Sequence, residues 1–338
     1  MARPLPQDEG WPDSPAARDA FVLSRRGRRN PADPWRTPRV LIEDECAADG
    51  TVVRSAAIFL TGRECPWRCV MCDLWKHTLE SDTPRAALPA QIQLACRRLD
   101  DPRPTQVKLY NAGSFFDPRA VPLSDYDAIA LTVAGFRHVV VESHPLLVGP
   151  HLLRWREALN RAAPDGRPPT LEVAIGLETA NAPALERLHK RFTLDDFARA
   201  AERTRASGSA LRVFLLVGLP FIHPAEQLEW IRRSAEYATG CGASVVSLIP
   251  TRTGNGALEA LTSAGLFHPP TLRDLEDAFD AVLQDVRGRV LADIWDLESF
   301  STCRACFEPR RARLNAMNLT QQVLPRVACE ACGAGSSG

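Results

Sequence analysis

Seven of the ten cysteines in this 338-residue chain fall into two clusters. Cys65, Cys69 and Cys72 share one short stretch with the spacing C-x3-C-x2-C. Cys303, Cys306, Cys329 and Cys332 form two C-x2-C pairs, 22 residues apart. Thiolates suit soft metals such as zinc and the irons of iron–sulfur clusters. No apolar leader precedes them, so clustered cysteines read as metal ligands before disulfides. Three thiolates on one loop can hold a [4Fe–4S] cluster and leave one iron open to a further ligand. The competing reading of that loop is a zinc knuckle completed by His77. Four thiolates fit a closed tetrahedral zinc site, which is structural, with a second iron–sulfur cluster as the alternative. Cys46, Cys96 and Cys241 stand apart and read as packing residues.

The elements that position these residues follow from apolar patterning. Residues 1–38 read as a Pro- and Arg-rich arm with a short helix near 17–26. A hairpin follows, with Asp49-Gly50 as the turn between apolar runs. Short Val-, Ile- and Leu-rich strands are expected at 56–61, 106–110, 138–142, 171–177, 212–217 and 244–249. Amphipathic helices fall between and after them, at 88–99, 123–134, 150–162, 193–207, 224–239 and 271–287. Six strand–helix units predict an α/β fold, a partial parallel (β/α)6 TIM-like barrel over 39–297 that includes the hairpin. Ligands in such arrays meet the carboxyl ends of the strands. A four-cysteine metal ribbon is expected at 298–333 and a flexible tail at 334–338.

The stretch from Thr61 to Asp73 follows the first buried strand and resembles the signature of the radical S-adenosylmethionine (SAM) superfamily. Met71 stands where that pattern carries an aromatic residue. The resemblance implies that Cys65, Cys69 and Cys72 hold a [4Fe–4S] cluster whose open iron chelates SAM. It further implies reductive cleavage of SAM to a 5′-deoxyadenosyl radical that abstracts a substrate hydrogen. Met71 would pack against the cofactor. Asn111, Gly113 and Ser114, in Asn-Ala-Gly-Ser-Phe-Phe-Asp after the second strand, would receive the SAM amino group. Glu142 and Ser143 close the third strand at the barrel mouth. Glu178, in Gly-Leu-Glu-Thr-Ala-Asn, would accept bonds from ribose hydroxyls. Gly218 and Ser247, at the ends of the next two strands, would border the adenine. Tyr110 is a pocket candidate by position. These motifs, with Glu186-Arg187-Leu188-His189-Lys190-Arg191-Phe192, resemble the branch of the archaeosine synthase radical-SAM subunit and, more distantly, the elongator catalytic subunit. His144 stands where the branch tends to carry Arg, and no acetyltransferase-like domain is read in the chain.

Composition bounds the reading. The net charge is zero, with 45% hydrophobic and 24% charged residues, which excludes a wholly disordered or generally nucleic-acid-coating chain. No apolar run is long enough for a transmembrane helix. Arg304, Arg310, Arg311, Arg313 and Arg326, with Asn315 and Asn318, read either as an RNA-backbone contact or as a solvated lid. The expectation is a cytoplasmic radical-SAM enzyme acting in tRNA nucleoside modification. Its cofactors would be SAM, the [4Fe–4S] cluster and Zn2+, and its electron donor a reduced flavodoxin or ferredoxin. Radical chemistry on a small metabolite or peptide is the first alternative. A non-catalytic metal-bound RNA-binding or scaffold protein is the second.

Overall fold

The structure, a computed structural model, describes residues 11–333; the expected flexible tail and residues 1–10 of the arm lie outside the described residues. Helix α1 (Pro15–Arg25) precedes an antiparallel hairpin of β1 (Arg39–Cys46) and β2 (Val52–Phe59). Then follow α2 (Ala87–Cys96), β3 (Gln106–Tyr110), α3 (Tyr126–Val133), β4 (His138–Ser143) and α4 (Pro150–Ala162). After them come β5 (Thr170–Glu178), α5 (Ala182–Arg187), α6 (Leu194–Ala206), β6 (Ala210–Val217) and α7 (Gln227–Gly240). The chain continues through β7 (Val245–Pro250), α8 (Ala257–Ser263), α9 (Leu272–Asp285), β8 (Arg289–Ala292) and α10 (Arg304–Thr320). The strands form one sheet in chain order, antiparallel only between β1 and β2. It curls into a partial barrel.

The strand alternation explains the packing. Leu109, Val139, Val141, Val173 and Val213 lie on the helix-facing side and are fully buried in the main core. Residues one step along the strands point into the barrel. Three differences from the sequence expectation stand out. The hairpin's return strand and the first barrel strand are one continuous β2, because Val52 to Phe59 pairs with β1 on one side and β3 on the other. β8 adds a seventh parallel strand; with four residues it is too short to show periodicity. The C-terminal segment is no ribbon but a 17-residue helix.

Helix α10 covers the free edge of β8 with side-chain amides. Asn318 accepts from the Ala292 amide at 2.7 Å and donates to its carbonyl at 2.9 Å. Gln321 does the same for Val290, at 2.8 and 2.9 Å. Two amides thus stand in for the missing strand. Three arginines of this segment pair with α9. Arg310 pairs with Glu276, Arg313 with Asp280, and Arg326 with Asp277 and Asp280. Arg311 pairs with Glu308. The RNA-backbone reading is therefore corrected for Arg310 and Arg313, whose charges are spent inside the fold, while Arg311 and Arg326 are paired at the surface.

The lower barrel is filled by charge. Lys108 of β3 meets Glu43 and Glu45 of β1, both at 2.5 Å. Arg212 of β6 bonds Glu45 and Glu172. Glu172 lies on β5, next to β6, but Glu45 lies on β1, so the Arg212–Glu45 contact crosses the lumen. Burial alone would raise Glu172, but Arg212 overrides it and holds the carboxyl down at about 2.

Candidate active site

The cysteine loop leaves β2 at its carboxyl end and is gripped from four sides. Val70 N–H donates to the Leu188 carbonyl at 3.1 Å. Asn255, after β7, donates to the Val70 carbonyl at 2.7 Å. Glu64, next to Cys65, binds Arg26 and Arg29 at 2.7 Å and Arg68 at 3.0 Å. Arg29 also donates to the Thr78 hydroxyl at 2.6 Å. Val70 sits in a small second core with Trp11, Val22, Leu188 and Leu258. The arm is thus a strap over the loop rather than a separate appendage, and its Arg26 and Arg29 are loop anchors. Nothing in the spacing of Arg26, Arg29, Glu64 or Asn255 marked them in the sequence.

Burial pushes the Cys65 thiol up to about 12, and raises Cys69 and Cys72 as well. Buried thiols become ligands when a metal centre stabilises the thiolate. Among the described residues, the loop thiols do not gather within the 4.8 Å that one ion would demand. His77 instead contacts Asn30 at 3.3 Å.

The strand-end motifs converge on this loop. Glu142 accepts from Asn111 N–H at 2.7 Å and Ala112 N–H at 3.0 Å, and so holds the Asn-Ala-Gly turn in place. Burial nevertheless raises the Glu142 carboxyl to about 7, against those two bonds. Ala112 takes the left-handed conformation. A Cβ on Gly113 would lie 3.4 Å from the Arg63 carbonyl and 3.7 Å from Cys65 N, so this turn abuts the first cysteine. The Asn111 side chain is fully buried, and both its amide atoms lack a partner in the protein. An orphaned amide beside the cysteine loop fits a polar group of a bound cofactor. Ser114 and Ser143 bond each other at 2.9 Å and tie the ends of β3 and β4 together.

On the far side, Glu178 ends β5 with a positive φ after a bulge. Its Oε1 accepts from the Lys190 ammonium, which also donates to the Gly176 carbonyl at 2.7 Å. A Cβ on Gly176 would lie 2.2 Å from that oxygen and 2.6 Å from Nζ, so only glycine leaves room for the pair. Lys190 was unmarked by spacing, although it is one of only three lysines in the chain. His144 Nε2 contacts the Lys190 carbonyl at 2.9 Å, and its ring stacks on Trp67 of the cysteine loop at 3.5 Å. Burial and the Lys190 charge push His144 down to about 3, which keeps it neutral. A neutral ring stacks where a second cation would repel Lys190. Gly218 has a left-handed φ and packs on Pro270, Met71 joins the second core, and Ser247 sits on β7 opposite Phe214.

The C-terminal thiols are arranged differently. Those of Cys303, Cys306, Cys329 and Cys332 all lie within 4.8 Å of one another. Cys306 and Cys332 are 3.7 Å apart. Tetrahedral Zn–S bonds of about 2.3 Å put sulfurs about 3.8 Å apart, so one ion fits this set. The backbone N–H groups of Cys306 and Ala305 pull Cys303 down to about 7, which favours its thiolate.

No protein-family model matches the chain. It is 26% identical over 234 residues to "Archaeosine synthase subunit beta" of Methanosarcina acetivorans, covering 66% of this chain and 65% of that one. The same protein of Thermococcus kodakarensis is 26% identical over 171 residues. The chain thus spans less than two thirds of either relative, 65% and 51%. An uncharacterised protein of Methanocaldococcus jannaschii is 22% identical over 325 residues, covering 90% and 87%. The fold is shared with methylornithine synthase, at TM-score 0.53 and 14% identity over 90% of this chain and 74% of that one. It is also shared with Elp3 of Methanocaldococcus infernus, at TM-score 0.50 and 13% identity over 68% and 59%. The similarity to the archaeosine synthase beta subunits supports an enzyme, and the fold is that of the two solved structures just described.

Proposed function

We propose that this enzyme modifies a tRNA nucleoside by hydrogen abstraction at the mouth of the barrel. The observation that carries the chemistry is the three-thiol loop abutting a turn with an orphaned, fully buried amide. Cys65, Cys69 and Cys72 would hold the [4Fe–4S] cluster. Once bound, the cluster and SAM supply a 5′-deoxyadenosyl radical on one-electron reduction. Asn111 would bind a polar group of the SAM methionine, with Gly113 giving close backbone approach. Glu142 would hold that turn through the two backbone N–H groups it accepts from. Glu178, fixed by Lys190, would offer its second oxygen to ribose hydroxyls. Met71, Ser114, Ser143, Gly218 and Ser247 would line or support the cofactor cleft. The sealed lower barrel excludes water beneath it.

Support for the nucleoside substrate comes from the archaeosine synthase relatives. The paired arginines of α10 lend it none. Zinc is our assignment for the four C-terminal thiols, because their spacing suits one tetrahedral ion. A reduced flavodoxin or ferredoxin would deliver the electron in the cytoplasm. No helix among the described residues is long and apolar enough to cross a membrane. The test is a mass-spectrometric comparison of tRNA nucleosides from cells with and without the gene. Loss of one modified nucleoside, restored by the wild-type chain but not by Cys69→Ala, supports the reading. An unchanged profile moves the substrate to a small metabolite or peptide.

A further inference from the structure

The segment between α1 and β1 concentrates charge in a chain whose net charge is zero. Residues 25–39 hold six arginines and one acid, Asp33. The structure lays this segment along the cysteine loop, at the mouth end of the sheet. Asn30 N–H donates to the Lys76 carbonyl at 2.9 Å, just past Cys72. Gln91 Nε2 donates to the Pro34 carbonyl at 2.7 Å and to the Thr61 carbonyl at 3.0 Å, just ahead of Cys65. Arg39 then stands opposite Phe59, the last residue of β2. The segment thus runs backwards past the whole loop and ends at the carboxyl end of the first barrel strand.

Its arginines divide by partner. Arg26 and Arg29 share Glu64 with Arg68, so one carboxylate meets three guanidiniums. A second carboxylate near Arg29, that of Glu80, is 85% exposed and 3.7 Å away. Arg28, Arg36 and Arg39 are exposed and have no acidic partner among the described residues. Arg310, Arg311, Arg313 and Arg326, by contrast, each have a carboxylate. Pro31, Pro34 and Pro38 restrict the backbone, and the bonds to Lys76 and Gln91 hold it down, so the free guanidiniums stand on a preorganised support. Trp35, next to Arg36, is 52% exposed. Guanidiniums match phosphate oxygens bidentately, and an exposed indole stacks on an unpaired base. An acidic protein surface would answer the charges but not the indole, so the combination favours RNA.

We propose that residues 28–39 form a cationic rail across the barrel mouth that holds the phosphate backbone of the substrate RNA, with Arg28, Arg36 and Arg39 on phosphates and Trp35 on an unpaired base. This rests on the nucleoside reading above, and it supplies the backbone contact that the paired arginines of α10 do not. The rail lies beside the cysteine loop, so it brings the RNA strand to the candidate radical site.

The test is fluorescence anisotropy of a labelled, unmodified tRNA transcript titrated with the anaerobically reconstituted full chain over a salt series. Arg28→Gln, Arg36→Gln and Arg39→Gln combined remove three phosphate contacts. Binding should weaken roughly tenfold or more, and the slope of log affinity on log salt should drop by about 2–3. Trp35→Ala should weaken binding about fivefold or more with the slope unchanged. Arg311→Gln, exposed but paired with Glu308, should bind as the wild type does. Melting temperatures check folding; if the triple variant unfolds, Arg36→Gln alone carries the test, with a slope change of about 1. Polyglutamate stands in for an acidic protein and should not displace the tRNA at equal charge. Wild-type affinity and slope in the folded variant, displacement by polyglutamate, or no tRNA binding by the wild type would each overturn the rail. The nucleoside comparison described above is scored separately. Nucleoside loss with RNA binding that ignores the three arginines refutes the rail alone. Arginine-dependent binding with an unchanged nucleoside profile refutes the nucleoside reading alone.

Discussion

Glu64→Ala should loosen the cysteine loop before it harms the barrel. Glu64 is 12% exposed in its side chain and faces Arg26, Arg29 and Arg68, which are 8%, 22% and 25% exposed. Burial alone would raise its carboxyl, yet hydrogen bonds from Arg29 and Arg26 hold it below the usual range. Removing the carboxylate takes the shared anion from three cations, although Arg29 keeps Thr78 and Arg68 keeps the Cys65 and Trp67 carbonyls. A fully buried pair broken in this way costs 3–5 kcal/mol, and partial exposure here reduces that to roughly 2–4 kcal/mol. For a chain of this size, at about 2 °C per kcal/mol, the melting temperature should fall by about 4–8 °C. The strap argument demands a second result. After anaerobic reconstitution, iron should leave Glu64→Ala faster than wild type in a chelator, followed by loss of the cluster's visible absorbance. Glu64→Asp should recover part of both effects. A normal melting temperature, or a stability loss with wild-type iron retention, would refute the strap.

Three further outcomes follow from the same packing. Glu172 is held at about 2, below its ordinary 4.5, so the stability it contributes is present above about pH 4.5 and is lost as pH falls towards 2; denaturant unfolding across that window should show the decline, and Glu172→Gln should flatten it. Cys306→Ser should abolish binding of the C-terminal ion: elemental analysis of a chain lacking Cys65, Cys69 and Cys72 should find about one zinc, lost on adding Cys306→Ser, whereas retained iron would mean a second cluster. Asn318→Ala exposes the Ala292 amide and carbonyl, which are now bonded inside the fold; it should cost about 2–4 kcal/mol and speed amide exchange at Ala292, and unchanged exchange would contradict the edge-capping role.

Chemistry at the strand ends was more legible than the supports around it. Cysteine spacing singled out both cysteine clusters, and short Val-rich runs placed six of the parallel strands. β8 stayed hidden because four residues carry no period. α10 was misread because C-x2-C pairs suggest a ribbon and because the seam that α10 buries lies against β8 and β1. Arg310, Arg313 and Arg326 looked free, since their acidic partners on α9 lie more than thirty residues away in sequence and meet them only after packing. Glu64 and Arg29 are 35 residues apart and follow no motif. Glu142 was placed correctly at a strand end, but only the structure shows its oxygen turned to the Asn111 and Ala112 backbone.

The most direct test of the central claim is SAM cleavage by the reconstituted protein under anaerobic conditions with dithionite as reductant. The account predicts 5′-deoxyadenosine from the wild type and none from Cys69→Ala. Equal release from both proteins, or none from a wild type carrying a full complement of cluster iron, would contradict it.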